Sequence, residues 1–476
     1  MRIMTSAARY LALAAAAFLA GAPLAAQQVN TLPPDLAAKV EAAIADVMNK
    51  TSVPSASLGI VRDGRIAYVR AFGKARLSPP VAASPEMHYA IGSISKQFTV
   101  AAVMVLAQEG KLSIDAPVSR WFPELTRAKE VTLRNLMSHT SGYEDYAPQD
   151  YTIPAWTKPT TADAIVHEWA MKPLDFEPGT QYQYSNTNFN IVGLIVEKAS
   201  GQPFWTFLKS RVLDPAGLLH TIDLDTQHDQ LEPTGYFRYA LGPLRPAIME
   251  APGWYFADGE MAMPVTDLLT WDISMMDESL LHHSSYAAME TPTKLKNGRE
   301  IGYGLGLSVG ESDGHRVVSH TGEVGGFVAS NAVVPDEKFA VAVLTNQEAS
   351  PAASAIGRAI AAVLRPSSAT APPDDPAASE ALVRRVLAGL QKGTIDRSLF
   401  TANANFYFDQ QGLSDFASSL GPLGEIRSLR QSSTSLRGGM RYRAFAVEFA
   451  NGTRVNLSTY FTTDGKIEQF LVEPVS

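Results

Sequence analysis

Cysteine is absent from this 476-residue chain. That absence excludes disulfide staples, thiolate nucleophiles, lipidated cysteines and zinc–thiolate sites. A chain of this size can bury a large core and does not need disulfides. Charged residues are scarce, at 18%, and acids outnumber bases, 48 to 40. An acidic balance of this kind makes the chain a poor candidate for nucleic-acid binding. The nine histidines show no H-E-x-x-H or related spacing, so no metal is expected, and no motif asks for a cofactor. No internal repeat is present. Beyond the N-terminal segment, no apolar run is long enough to span a bilayer.

What is present starts with "MRIMTSAARYLALAAAAFLAGAPLAAQQ". Arg2 and Arg9 form a positive n-region. "YLALAAAAFLA" is an apolar stretch too short to cross a membrane, and small residues follow it. Residues 1–26 are therefore expected to be a signal peptide cleaved after Ala26, and the mature protein to be periplasmic or secreted. Loss of the two arginines makes the formal net charge of −8 two units more negative.

Residues 27–365 are expected to form one domain. "PPDLAAKVEAAIADVMNK" has helical spacing. "SASLGIVRDGRIAYVRAFG" gives two strands around an Asp63-Gly64 turn. "IGYGLGLSVG", "HRVVSHTGEVGGFVASNAVVP" and "KFAVAVLTNQ" read as strands, and "PAASAIGRAIAAVL" as a helix. The predicted fold class is α+β: one antiparallel sheet flanked by helices, with a helical insertion between its two strand-rich ends. Residues 366–378, within "RPSSATAPPDDPAAS", read as a linker. Residues 379–476 then form a small α+β domain: the helix "EALVRRVLAGLQKG" and strands with turns at Asn451-Gly452 and Asp464-Gly465. The linker predicts that this domain is separable from the first.

"YAIGSISKQFTVAAVM" places Ser93 and Ser95 close to Lys96. A nucleophilic serine needs a neighbour that can take its proton. On a helix, residues three apart share a face and adjacent residues do not. Ser93 and Lys96 are three apart, so geometry prefers Ser93 over Ser95. A helix start also favours an oxyanion. Ser93 acting only as an N-cap is the bland alternative, since an isolated S-x-x-K is common. Gly306-Leu307-Ser308-Val309-Gly310 matches the G-x-S-x-G elbow. That motif needs a helix after the serine, whereas "GESDGH" leads into another strand, so Ser308 is set aside. His282 and His283 read as surface residues.

Further along stand Tyr184-Ser185-Asn186 and His320-Thr321-Gly322. S-x-x-K, Y-x-N and [KH]-T-G in that order resemble the penicillin-recognising serine hydrolases. "LMSHTSGYEDY", "EGKLSIDAPVSRWFPEL" and "GEMAMPVTDLLTW" are similar to phrases of the same family. The resemblance runs from about Leu36 to Leu364. It is closest to the class C β-lactamase-like branch, which includes D-alanyl-D-alanine carboxypeptidases, D-aminopeptidases and family VIII esterases. It implies a β-lactamase/transpeptidase-like fold, and it implies roles. Ser93 attacks a carbonyl. Lys96 holds or accepts its proton, and Tyr184 relays a proton to the leaving group. Asn186 donates to Lys96 or to substrate. The backbone N–H groups of Ser93 and Glu323 form an oxyanion hole, and His320, Thr321 and Gly322 line the substrate site. Whether Lys96 or Tyr184 is the acylation base stays open. The C-terminal domain lies outside this resemblance and is faintly similar to NTF2-like folds.

Two departures matter. His320 stands where a β-lactamase usually has lysine, and histidine is only partly charged near neutral pH. Glu323 replaces a small residue and is expected to face the pocket and disfavour anions. His139 is expected to be structural, in a turn beneath the site. The reading that follows is an exported serine hydrolase using a Ser93 acyl-enzyme on a D-amino-acid peptide, amide or ester. The alternatives are a true β-lactamase and a non-catalytic binding module. The partner is a small molecule or peptide; the oligomeric state is left open.

Overall fold

A computed structural model describes residues 29–475, apart from 313–314, 366–376, 438–439 and 463–464. The expected signal peptide and most of the expected linker fall outside those residues. Helix α1 (Pro34–Thr51) starts on a proline, where the missing N–H costs nothing, and ends at Ser52 in a left-handed conformation. Strands β1 (Ser55–Arg62) and β2 (Arg65–Arg76) follow. Their turn has positive φ at both Asp63 and Gly64, as a tight two-residue hairpin requires.

These strands join a seven-stranded sheet with the short β3 (Val81–Ala82), β4 (Ser308–Ser312), β5 (His315–Val324), β6 (Phe327–Val334) and β7 (Phe339–Thr345). The order is β3-β2-β1-β7-β6-β5-β4, with β1 antiparallel to β7 in the middle. Both faces are covered. Ala56, Leu58 and Ile60 of β1 pack with Val341 and Val343 of β7 beneath α1 and a C-terminal helix (Ala352–Leu364). Val61, Ala342 and Leu344 face the opposite core, with the helix Val265–Asp277. A Cβ on Gly59 would lie 2.3 Å from Leu269 Cδ1, so that helix can lie against β1 only because position 59 is glycine. Burial on both faces explains why "SASLGIV" and "FAVAVL" are almost continuously apolar.

Between β3 and β4 lies the helical insertion. Its central helices are α2 (Ser95–Gln108) and α3 (Asn186–Ser200), both buried around most of their circumference. The expected strand at "IGYGLGLSVG" forms only from Ser308. Residues 301–307 are a loop, because Gly304 and Gly306 must pass close to other backbone: a Cβ on Gly304 would lie 1.9 Å from Met289 O.

One buried carboxyl gives a stability prediction. Asp272 accepts from Asn331 Nδ2 at 2.8 Å, while its Oδ2 has no protein partner among the described residues. Burial pushes its pKa up to about 8. The unfolded carboxyl titrates near 4. The folded state therefore holds a proton that the unfolded state has released. Stability falls as pH rises from about 4 to about 8, by at most ~1.4 kcal/mol per unit. Asp272→Asn is expected to raise the melting temperature, with a gain that grows between pH 5 and pH 8. A gain independent of pH would show that this carboxyl does not titrate in that window.

The C-terminal unit begins with a helix at Ala377–Leu390, two residues before the expected boundary. It continues as a four-stranded antiparallel meander, β8 (Ile426–Arg437), β9 (Met440–Phe449), β10 (Arg454–Phe461) and β11 (Ile467–Pro474). Val383, Leu387, Phe416, Phe445, Leu457 and Phe470 form its core. Strand β8 has no counterpart in the sequence reading. "IRSLRQSSTSLR" is polar because it is an edge strand with little to bury. The two units share a packed boundary rather than only a linker. Ala240 of the first unit is part of the second unit's core, Tyr239 meets Tyr407 edge to face with centroids 5.0 Å apart, and Arg245 pairs with Asp415.

Candidate active site

Ser93 sits in a single 3₁₀ turn, Gly92–Ile94, that runs directly into α2. Lys96 is one turn further on, on the same face, and fully buried. Its Nζ donates to Ser93 Oγ at 2.9 Å, to Asn186 Oδ1 at 2.7 Å and to the Asp258 carbonyl at 2.8 Å. Asn186 opens α3, and its Nδ2 donates to Ala147 O at 3.2 Å, which fixes its oxygen toward Lys96. Ser95 is also buried, but its Oγ accepts from Met261 N at 3.3 Å. Ser308 begins a sheet-edge strand that pairs with β5, and no helix follows it.

Tyr184 lines the same cleft. Lys96 Nζ lies 5.1 Å from its ring centroid. The ring stacks on His139 at 4.1 Å and 30°. His139 takes a positive φ of 55°, and its Nδ1 accepts from Ser185 N at 3.1 Å. It braces Tyr184 and the entry to α3, as a structural residue beneath the site.

Strand β5 carries His320, Thr321, Gly322 and Glu323 past the serine. A Cβ on Gly322 would lie 1.8 Å from Ile91 O and 2.9 Å from Ser93 N, and one on Gly92 would lie 2.6 Å from Glu323 N. Only glycine at both positions allows this approach. It sets the backbone of Ser93 beside that of Glu323, while Thr321 is exposed to the cleft.

His320 lines the cleft but is mostly buried. Its Nδ1 faces the Thr321 carbonyl and its Nε2 is 2.9 Å from Tyr303 OH. A carbonyl can only accept, so Nδ1 carries the hydrogen and Nε2 accepts from the tyrosine. Burial, with the Lys96 charge, holds its pKa down to about 4. The expected partial charge near neutral pH is therefore corrected: the ring is neutral. The ratio of kcat/KM for a carboxylate-bearing substrate to that for its neutral amide analogue should stay constant from pH 6 to pH 9. A fall of that ratio near pH 6.5 would show an exposed, titrating imidazole.

Glu323 also faces the cleft, accepting from Ala349 N at 2.6 Å. Burial first, then the nearby Asp150 carboxylate, push its pKa well above the usual range. The neutral acid is favoured, so the expected repulsion of anions is weaker than a carboxylate would give.

The cleft encloses about 330 Å³ and is ringed by Tyr146, Tyr151, Trp156, Trp254 and Tyr255. Asp150, Glu250 and Glu348 line it too. Glu250 and Glu348 accept from Gly325 N and Gly326 N and so pin the β5–β6 turn. Asp258 and Tyr303 were missed in the sequence. The quoted phrase "GEMAMPVTDLLTW" starts one residue after Asp258. That residue works through its main-chain carbonyl, which no side-chain motif advertises.

The chain is similar to several known proteins. A D-aminopeptidase of Cereibacter sphaeroides is 31% identical over 307 residues, covering 63% of this chain and 58% of that protein. A D-stereospecific amidohydrolase from Streptomyces sp. is 26% identical with a TM-score of 0.58, covering 70% of this chain and all of that one. An octameric penicillin-binding protein homologue from Pyrococcus abyssi shares the fold across 92% of this chain and 99% of its own, with a TM-score of 0.61 at 22% identity. The chain spans about three-fifths of the length of the curated relatives it matches. A family model described as Beta-lactamase matches residues 40–365. That match runs from α1 to the end of the helix after β7 and takes in every motif residue named above, and the chain belongs to the beta-lactamase family.

Proposed function

We propose that the protein is an exported serine hydrolase that cleaves amides or short peptides of D-amino acids through a Ser93 acyl-enzyme. The observation that carries this is the bonding of Lys96. Two of its hydrogen-bond partners, Asn186 Oδ1 and the Asp258 carbonyl, can only accept. As an ammonium, Lys96 donates to both and to Ser93 Oγ; once it has lost one proton, its two remaining hydrogens serve these two acceptors and its lone pair faces Ser93 Oγ. Lys96 can thus receive the serine proton without moving.

In the reaction, Ser93 Oγ attacks the substrate carbonyl carbon and its proton passes to Lys96. The resulting oxyanion lies between the N–H groups of Ser93 and Glu323, a fixed pair of donors worth several kcal/mol. The C–N bond then breaks. The leaving amine takes a proton through Tyr184, and water hydrolyses the Ser93 ester. Similarity to a D-aminopeptidase and a D-stereospecific amidohydrolase supports the substrate class. The aromatic ring of the cleft suits an apolar side chain, and its acids suit a free ammonium. Export rests on residues 1–26.

A β-lactamase needs a durable hold on the substrate carboxylate, and neutral His320 supplies no cation for it. A screen of D-phenylalanine amide, a p-nitrophenyl ester and nitrocefin tests this reading. The amide is expected to exceed its L enantiomer and nitrocefin by tenfold or more in kcat/KM. Nitrocefin as the best substrate would favour a β-lactamase. Binding without turnover of any of them would favour a non-catalytic module.

A further inference from the structure

Gln149, Asp150, Tyr151 and Thr152 line the cleft that holds Ser93, yet none belongs to a helix or strand. Something else must fix them. On one side Thr152 Oγ1 donates to Ile248 O at 2.8 Å. On the other, three consecutive residues are held by β11 of the C-terminal unit. Gln149 Nε2 donates to Glu468. Tyr151 OH donates to Glu468 O at 2.7 Å, and its ring lies 4.9 Å from that of Tyr407. Between them, fully buried Gln469 grips Asp150 twice. Its Oε1 accepts from Asp150 N at 2.7 Å, and its Nε2 donates to Asp150 Oδ2 at 2.9 Å. Nε2 also reaches Ser458 Oγ at 3.2 Å. Reversing the amide would break these bonds, so the grip has one orientation.

We propose that Gln469 is a positioning residue for the substrate: through it, the C-terminal unit sets the Asp150 wall of the cleft and so determines affinity for amines. The unit is then part of the substrate site, although it supplies no reacting group. The wall it holds is acidic, since Asp150 shares the cleft with Glu323, Glu348 and Glu250. Burial favours the neutral form of Glu323, Glu250 and Glu348 in the empty cleft, and an ammonium guest beside them would favour their ionised form and be held by it. Gln469 keeps Asp150 turned toward a fixed donor, and a wall held in place loses less freedom when a ligand binds.

The proposal rests on the hydrolase reading for its choice of ligand, and the test separates the two. Gln469→Met removes both bonds at nearly constant volume. Gln469→Glu keeps an acceptor for Asp150 N but sets a second carboxyl against Asp150. Binding is read without chemistry in the Ser93→Ala background, from the fluorescence of Trp156 and Trp254 during titration with D-phenylalanine amide. Kd is expected to weaken at least tenfold in both Gln469→Met and Gln469→Glu, since each loses the two-bond hold on Asp150. Binding of N-acetyl-D-phenylalanine amide, which has no ammonium, should change less than threefold. In protein that keeps Ser93, the rate of fluorophosphonate labelling should stay within twofold of the parent. An unchanged Kd in both variants, equal losses for the two ligands, or labelling that falls in step with binding would overturn the proposal. Absence of labelling in the parent protein would overturn the hydrolase reading instead, while the binding comparison would still decide the role of Gln469.

Discussion

Ser93→Ala is expected to eliminate the fluorophosphonate adduct and to lower turnover of D-amino-acid amides by roughly 10⁴-fold or more. Among the described serines, Ser93 alone has its Oγ 2.9 Å from Lys96 Nζ while lying in the cleft with Tyr184 and Thr321. The two other candidate serines serve as controls with different signatures. Ser95→Ala removes the acceptor for Met261 N and leaves that donor buried. The loss should appear as about 1–3 kcal/mol of stability, with labelling intact. Ser308→Ala alters a sheet-edge residue and should change neither. Mass spectrometry of the labelled protein decides the matter: an adduct that persists in Ser93→Ala would refute the mechanism.

Lys96→Met should cost about 10³-fold in kcat/KM with the fold retained, in line with the loss of a positioned general base. Methionine occupies similar space but leaves Asn186 Oδ1 and the Asp258 carbonyl without their donor. A drop of about 1–3 kcal/mol in stability should accompany the kinetic loss. Lys96→Arg separates proton transfer from simple electrostatics. A guanidinium preserves the charge but does not release its proton in a protein. Arginine is therefore expected to restore some stability and almost none of the rate. Recovery of activity within tenfold of the parent in Lys96→Arg would mean that the position supplies charge rather than a base, and Tyr184 would become the candidate base.

The outline of the site was legible because its central elements are side chains at short, fixed spacings. Ser93 and Lys96 share a helix face, Tyr184 and Asn186 flank one helix start, and His320 to Glu323 lie on one strand. What the sequence concealed depends on tertiary surroundings. The neutrality of His320 comes from its burial near Lys96 and its bonds to Tyr303 and to the Thr321 carbonyl, partners that no spacing announces. Asp258 contributes a main-chain oxygen. In the fold, the two-sided burial of β1 and β7 gave unbroken apolar runs that read clearly. Strand β8 exposes a polar edge and did not read as a strand. The clamp of Gln469 on Asp150 joins residues 319 positions apart through ordinary glutamine and aspartate, neither of which stands out in a linear reading.

The pairing of β1 with β7 has a consequence for how the chain reaches this state. Ser55 meets the side chain of Asn346, 291 positions later, in the middle of the sheet. The β1–β2 hairpin is therefore made early and must wait for its central partner while the whole helical insertion is synthesised. At typical elongation rates that delay is roughly a quarter of a minute to a minute. Throughout it, the β7-facing edge of β1 is open; α1, already made, can cover part of one face, while the other face waits for the helix Val265–Asp277. Contacts so distant in the chain also close slowly once all the parts are available. Nascent chains that stop before Phe339 should thus be the aggregating species, and holdase chaperones should engage this protein chiefly over that interval.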